Sequence, residues 1–317
     1  MAPRRRRTRA DPPRRSTPNG ESEGPSLLEL DRFNRASLQK WLRMADDLGR
    51  LQGALYFGLE SARQTHGPAL IDALRAGASG PFEFDDWSRI VDYRHSLAPL
   101  STAGSVKSEG GRFNIGRKLS PGAFTPFPAL YVAEDYATAY RERFGQAPEA
   151  TTSGSNGLTS TELALRSPGS FTQVRVRGRV DLVLDVGDPA ALKSFVEVIR
   201  SFQLPAAVTS LARRIALRRA PWLVRSTVAL QRQLLHRNWR MLPMHYDLPA
   251  NCQVFGRFAS AAGLHAVRYP SARQEGRQCL ALFPQNWSGT SSFVEVADAV
   301  PPEARLVRLD ALTGAGY

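Results

Sequence analysis

With 317 residues and 42% apolar side chains, the chain is long enough to bury one large core or two modest ones without covalent staples. Its two cysteines, Cys252 and Cys279, exclude a disulfide framework, and no run of about 18 apolar residues is available to span a membrane. The net charge of +13 is concentrated in residues 1–15, which hold seven arginines against Asp11, and in residues 198–246, which hold nine arginines and no acid, so the rest of the chain is close to neutral.

Residues 1–26 are rich in Arg, Pro, Ser and Gly and nearly devoid of apolar side chains, so a disordered basic tail is expected. It reads equally as a solubilising tail or as a non-specific contact for nucleic acid or an acidic partner. No apolar segment follows its arginines, so neither a secretory nor a twin-arginine signal is expected, and a cytoplasmic, reducing location is. From Leu27 apolar residues recur every three or four positions (Leu38, Trp41, Leu42, Leu48, Leu51, Leu55, Leu59) until Gly67-Pro68 interrupts them. Residues 27–83 are therefore expected to form a helical cap, with a second, shorter helix over about 69–75.

The central region is expected to begin at residue 84. Phe84, Trp87, Ile90, Val91 and Tyr93 suit a strand that carries Arg94 at its end, and a small-residue loop leads to Gly110-Gly111-Arg112-Phe113-Asn114. Ala129-Leu130-Tyr131-Val132-Ala133 reads as a buried strand feeding a helix over about 135–144, with a polar loop over 150–157. Val174 to Val180 alternates apolar and basic residues as a half-exposed strand, and Leu182 to Val186 continues as a more buried one. A helix is expected over 189–198, then two amphipathic helices separated by Pro221. Toward the end come a helix over 254–262 stopped by Gly263, strands at 266–269 and 279–283, and edge strands within 293–309 split by Pro301-Pro302.

Two adjacent glycines allow positive φ and close backbone approach, so their amides and the planar fork of Arg112 could cradle a phosphate; alone, the same residues describe a turn with a charge after it. The G-x-G-x-x-G and G-K-[ST] spacings are absent. His66, His95, His236, His245 and His265 are scattered without zinc-ligand spacing, so no metal is expected, and Cys279, inside an apolar run, reads as a buried inert thiol.

Taken in order, Arg94, the Gly110–Asn114 run, Ala129–Glu134, Ala137-Thr138-Ala139 with Glu142, and Tyr269-Pro270-Ser271-Ala272-Arg273 resemble the RES-domain family, named for an arginine, a glutamate and a serine in a shared polar site. Phe113 stands where many members carry tryptophan. The resemblance implies an α+β fold with a mixed, largely antiparallel sheet of the ADP-ribosyltransferase-like kind. It also implies an enzyme that consumes NAD by hydrolysis or phosphorolysis, typically a toxin checked by an Xre-type antitoxin. Some members are described as ADP-ribosyltransferases, so transfer to a macromolecule is the alternative within enzymes. A nucleic-acid-binding module using the tail and residues 198–246 is the alternative outside them.

On that resemblance, Arg112, Tyr131, Glu142 and Ser271 are the candidate catalytic residues, and Arg94, Gly110, Gly111 and Asn114 the candidate substrate contacts. NAD would be substrate rather than resident cofactor, with phosphate as a possible co-substrate. Each residue also has a plainer reading: Tyr131 as core, Glu142 as a surface ion pair beside Arg141 and Arg143, and Ser271 as the cap of a turn after Pro270. Compact family members have a shorter interval between glutamate and serine. Residues 84–189 and 247–317 are accordingly expected to be two parts of one RES-like domain, and 190–246 an arginine-rich helical insertion.

Overall fold

The computed structural model describes residues 35–119, 122–145, 147–148, 170–217, 221–240 and 246–314. The expected tail, the loop over 150–157 and parts of the arginine-rich segment lie outside them. The chain divides into a unit ending at Asp46 and a unit from Asp47 onward. Helix α1 (Arg35–Thr65) begins in the first, and everything below concerns the second.

Its centre is an eight-stranded sheet: β1 (Phe82–Asp92), β2 (Leu130–Ala133), β3 (Phe171–Val180), β4 (Val183–Asp185), β5 (Ala266–Pro270), β6 (Gln278–Leu282), β7 (Phe293–Val296) and β8 (Arg308–Asp310). The spatial order is β4-β5-β6-β2-β1-β3-β7-β8, and the β4–β5 pair alone is parallel. The fold is thus α+β with a mixed, largely antiparallel sheet.

Period-two alternation sorts the strands onto two faces. One face carries Leu130, Val132, Val176, Val183, Ala266, Leu280, Leu282, Val294 and Leu309, a cluster that draws on strands from both ends of the sheet and encloses Trp287. The other carries Ala133, Val267, Tyr269, Cys279 and Ala281 and is covered by helices. Those helices are α2 (Gly67–Gly77), α5 (Lys193–Ile199), α7 (Thr227–Leu234) and α8 (Asn251–Ala261), with α6 (Ala206–Arg214) between α5 and α7 in the chain. Two shorter ones, α3 (Ala103–Lys107) and α4 (Tyr136–Phe144), flank the glycine loop and follow β2. Local signals set the ends of α4: Asp135 accepts a hydrogen bond from Thr138 N at 2.7 Å, and Gly145 closes the helix at φ 82°.

The arginines of the sequence are distributed by this register. On β3, Arg175 pairs with Asp298 at 2.7 Å, Arg177 with Glu295 at 2.7 Å, and Arg179 with Glu83 and Asp181 at 3.0 and 3.1 Å. Arg177 and Glu295 are direct cross-strand partners. The alternating apolar and basic strand is therefore a locally neutralised outer face. Within the arginine-rich segment, Leu192, Phe195, Val196, Phe202, Leu230 and Leu234 join the helix-covered core, and α5 packs on α2. Arg225 donates to the carbonyls of Arg200 and Phe202, and Arg214 pairs with Asp47 at 2.6 Å. Two amphipathic helices flank Pro221, and Val208, Ala212, Leu230 and Leu234 are their buried residues.

Two stability outcomes follow from this packing. Trp287→Ala empties the centre of the cluster on the Leu130–Val132 face and should cost about 3–5 kcal/mol, read by urea denaturation. The exposed pair Arg177–Glu295 should contribute no more than about 1 kcal/mol in a double-mutant cycle.

Candidate active site

The Glu109–Gly116 loop is closed by Asn114 together with neighbours on either side of it. Asn114 is fully buried: its Nδ2 donates to the carbonyls of Ser105 and Phe127, both at 3.0 Å, and its Oδ1 accepts from Gly111 N and Tyr131 Oη, both at 2.8 Å. Tyr131 Oη in turn accepts from Phe113 N at 2.9 Å. The Gly111 amide, expected to face an anion, is therefore engaged within the loop, while the remaining bonds of the Asn114 side chain reach Ser105, Phe127 and Tyr131 outside it. Both glycines are required by the space. Gly110 sits at φ 101°, and a Cβ on Gly111 would lie 2.4 Å from the Tyr131 ring.

Arg112, held between these contacts, is only 4% exposed. Its Nη1 donates to the carbonyls of Leu234 at 2.9 Å and His236 at 3.1 Å, groups left free at the C-terminal end of α7. The guanidinium lies 5.7 Å from the Trp239 ring centroid and 6.0 Å from that of Tyr269. A carbonyl pair at the negative end of a short helix is a neutral stand-in for an anion.

Glu142, on α4, accepts from Ser271 Oγ at 2.6 Å and from Ala272 N at 3.1 Å, both through Oε1. Ser271 Oγ also accepts from the amides of Arg273 and Gln274, so the serine caps its turn and fixes the carboxylate together. Glu134 anchors the same hairpin to the start of α4, accepting from Gln278 N at 2.9 Å and Arg277 Nη1 at 3.1 Å. Arg94 lies apart from this network, exposed on the turn after β1 and 3.8 Å from Asp92.

Tyr269 and Cys279, cross-strand partners on β5 and β6, form the floor under both groups. Burial raises both pKa values well above their usual range; the negative charge of Glu142 adds to this and the positive charge of Arg112 opposes it, so the two charges act on one buried surface. Burial also raises Tyr131, and raises Cys252 to about 12. Arg89, unremarked in the sequence, ties β1 to β2 and to the 99–101 turn by donating to the carbonyls of Pro99, Tyr131 and Ser101 at 2.9, 3.0 and 3.1 Å, and desolvation with nearby Arg143 lowers its pKa to about 10. Beside the site, Gly187, Val228, Arg232, Leu235, His236 and Pro270 line an open depression of about 630 Å³.

Residues 191–301 match the family model described as the RES domain. Over that stretch the chain matches the RES family. The matched residues include Ser271 and the helices α5 to α8, whereas Arg112, Tyr131 and Glu142 precede them; the Arg112 bonds to α7 and the Glu142–Ser271 bond join the two parts. No curated protein matches the chain. Among solved structures, it is similar to a chain of the M. tuberculosis MbcT-MbcA toxin-antitoxin complex, with 14% identity, a TM-score of 0.38, and coverage of 78% of this chain and 94% of that one. No described helix is long and apolar enough to cross a membrane, and among the described residues no cluster of three or more His, Cys, Asp or Glu is placed to hold a metal.

The buried thiols and phenols of this RES-matching chain make a signed prediction. Their native pKa values exceed the unfolded ones of about 8.5 and 10, so above pH ~8.5 the unfolded chain loses protons first and stability must fall as pH rises. Between about pH 8.5 and 9, below the range where Arg89, with its pKa of about 10, begins to act oppositely, chemical denaturation should show this fall. Cys252→Ala should flatten it.

Proposed function

We propose that this chain cleaves the nicotinamide–ribose bond of NAD, with water or phosphate as acceptor, and acts as the toxin of a pair whose Xre-type antitoxin is its partner. The observation that carries this reading is the carboxylate of Glu142, held through one oxygen by Ser271 and the Ala272 amide, on the same buried surface as the Arg112 guanidinium. The RES match over 191–301 supports it.

Nicotinamide leaves as a neutral ring from a cationic one, so scission of the C1′–N bond sends the electron pair to the ring nitrogen without a general acid. What the step needs is a negative charge preorganised beside the ribose as it becomes cationic, which is the part assigned to Glu142. Ser271 serves it as a positioning residue, since its hydroxyl is already donated to the carboxylate. Arg112 binds the pyrophosphate: a phosphate oxygen outcompetes the Leu234 and His236 carbonyls for Nη1, because a charged acceptor makes the stronger bond. Tyr131, whose hydroxyl is fully engaged and kept neutral by burial, holds the Arg112 loop rather than transferring a proton. Asn114, Gly110 and Gly111 belong to the same scaffold, and Arg94 is a peripheral charge at most. The reaction closes when an oxygen of water or phosphate bonds C1′, with water's proton released to solvent.

The test is nicotinamide release from NAD by the purified chain, with and without phosphate. Glu142→Ala and Arg112→Ala should each lower turnover by about 10²-fold or more, and Ser271→Ala by less. Turnover that requires phosphate assigns phosphorolysis. Absence of nicotinamide from the wild type under both conditions overturns the reading, and labelling of a macromolecule from NAD would replace it with ADP-ribosyl transfer.

A further inference from the structure

Gln253 is fully buried in the first turn of α8, and the site described above does not use it directly. Its Oε1 accepts from Ala250 N at 3.0 Å, an ordinary helix-start contact. Its Nε2 points the other way, to the carbonyls of Glu109 at 2.9 Å, Asn114 at 3.0 Å and Gly111 at 3.2 Å. These three oxygens turn inward because the loop curls tightly around Gly110, and two of them belong to residues within two positions of Arg112. One turn further along α8, Gly256 lets the Phe113 backbone rest on the helix: a Cβ there would lie 2.1 Å from the Phe113 carbonyl oxygen. Phe255 on the same helix meets the Phe113 ring edge-on at 6.3 Å between centroids.

We propose that Gln253 is a positioning residue for the reaction, its amide N–H groups gathering the Glu109, Gly111 and Asn114 carbonyls so that Arg112 is presented to the substrate phosphate. The inference rests on the NAD-cleaving reading for its kinetic arm only. Converging buried carbonyls repel one another and have lost their water, so a donor between them is obligatory. Glutamine alone among the uncharged side chains brings a two-hydrogen donor at this reach together with an acceptor for the Ala250 amide.

Gln253→Glu separates the two ends of the side chain, keeping an oxygen for Ala250 N while replacing the donor with a second oxygen aimed at the carbonyls. Gln253→Met removes both at nearly constant volume and serves if the glutamate variant does not fold. Each would be made alone and with Arg112→Ala, with nicotinamide release and amide hydrogen exchange at Gly111, Phe113 and Gly116 as readouts. Turnover should fall about 10- to 100-fold, as for a misplaced catalytic group, and no further when Arg112→Ala is already present. Exchange at the three loop amides should quicken at least about 10-fold while the β5–β6 amides stay protected. Losses that multiply with Arg112→Ala, wild-type turnover in both variants, or unchanged loop exchange would each overturn the proposal. If the wild type releases no nicotinamide, the functional reading falls on that result, and loop exchange alone decides whether Gln253 holds the loop.

Discussion

The site depends on one buried carboxamide. Asn114 binds two carbonyls with its nitrogen and gathers the Gly111 amide and the Tyr131 hydroxyl with its oxygen, so four segments of chain meet at a side chain with no exposed surface. Each of these groups would carry a desolvation cost if left alone, and together they are satisfied. The Tyr131 ring then fills the space that a Cβ at position 111 would need. Gly111 is required for packing against that ring, and Gly110 for its positive φ and the close approach of the Asn114 backbone.

Around this knot the two charges of the site are held by unlike means. Glu142 is restrained by donors of the β5–β6 hairpin, which Glu134 ties to the helix carrying Glu142. Arg112 is held by helix-end carbonyls and aromatic faces, neutral partners that restrain a cation without neutralising it. A guanidinium so placed retains most of its attraction for a phosphate. The carboxylate keeps its second oxygen outside those two bonds.

Charge at the scale of the whole chain tells a different story. The arginines of β3 meet acids across the sheet, and Arg225 is occupied with backbone carbonyls of its own segment. The local pairing reduces the free positive surface that composition alone would suggest, and the apolar residues between the arginines of 190–234 set how that segment packs.

Much of the architecture was legible in the amino-acid order because it follows from short-range physics. Period-two alternation marked β3, short apolar runs marked β2, β5 and β6, Asp135 began α4, Gly67-Pro68 separated α1 from α2, and Gly263 followed the helix before β5. The order of Arg112, Tyr131, Glu142 and Ser271 was visible too, through resemblance. What no local pattern could supply was which groups meet across long separations: Gln253 with a loop some 140 residues earlier, Ser271 with Glu142, Arg112 with the end of α7, and Arg89 with the Tyr131 carbonyl of β2. Local preferences arise from backbone geometry and the spacing of side chains, so the sequence by itself determined most of the longer elements and their buried faces, while the short α3 and the end of β1 before Arg94 were set by the fold. The partners of buried polar groups are chosen only when folding removes water and forces each donor to find an acceptor, so the tertiary structure alone decided that Asn114, the Gly111 amide and Tyr131 serve one another.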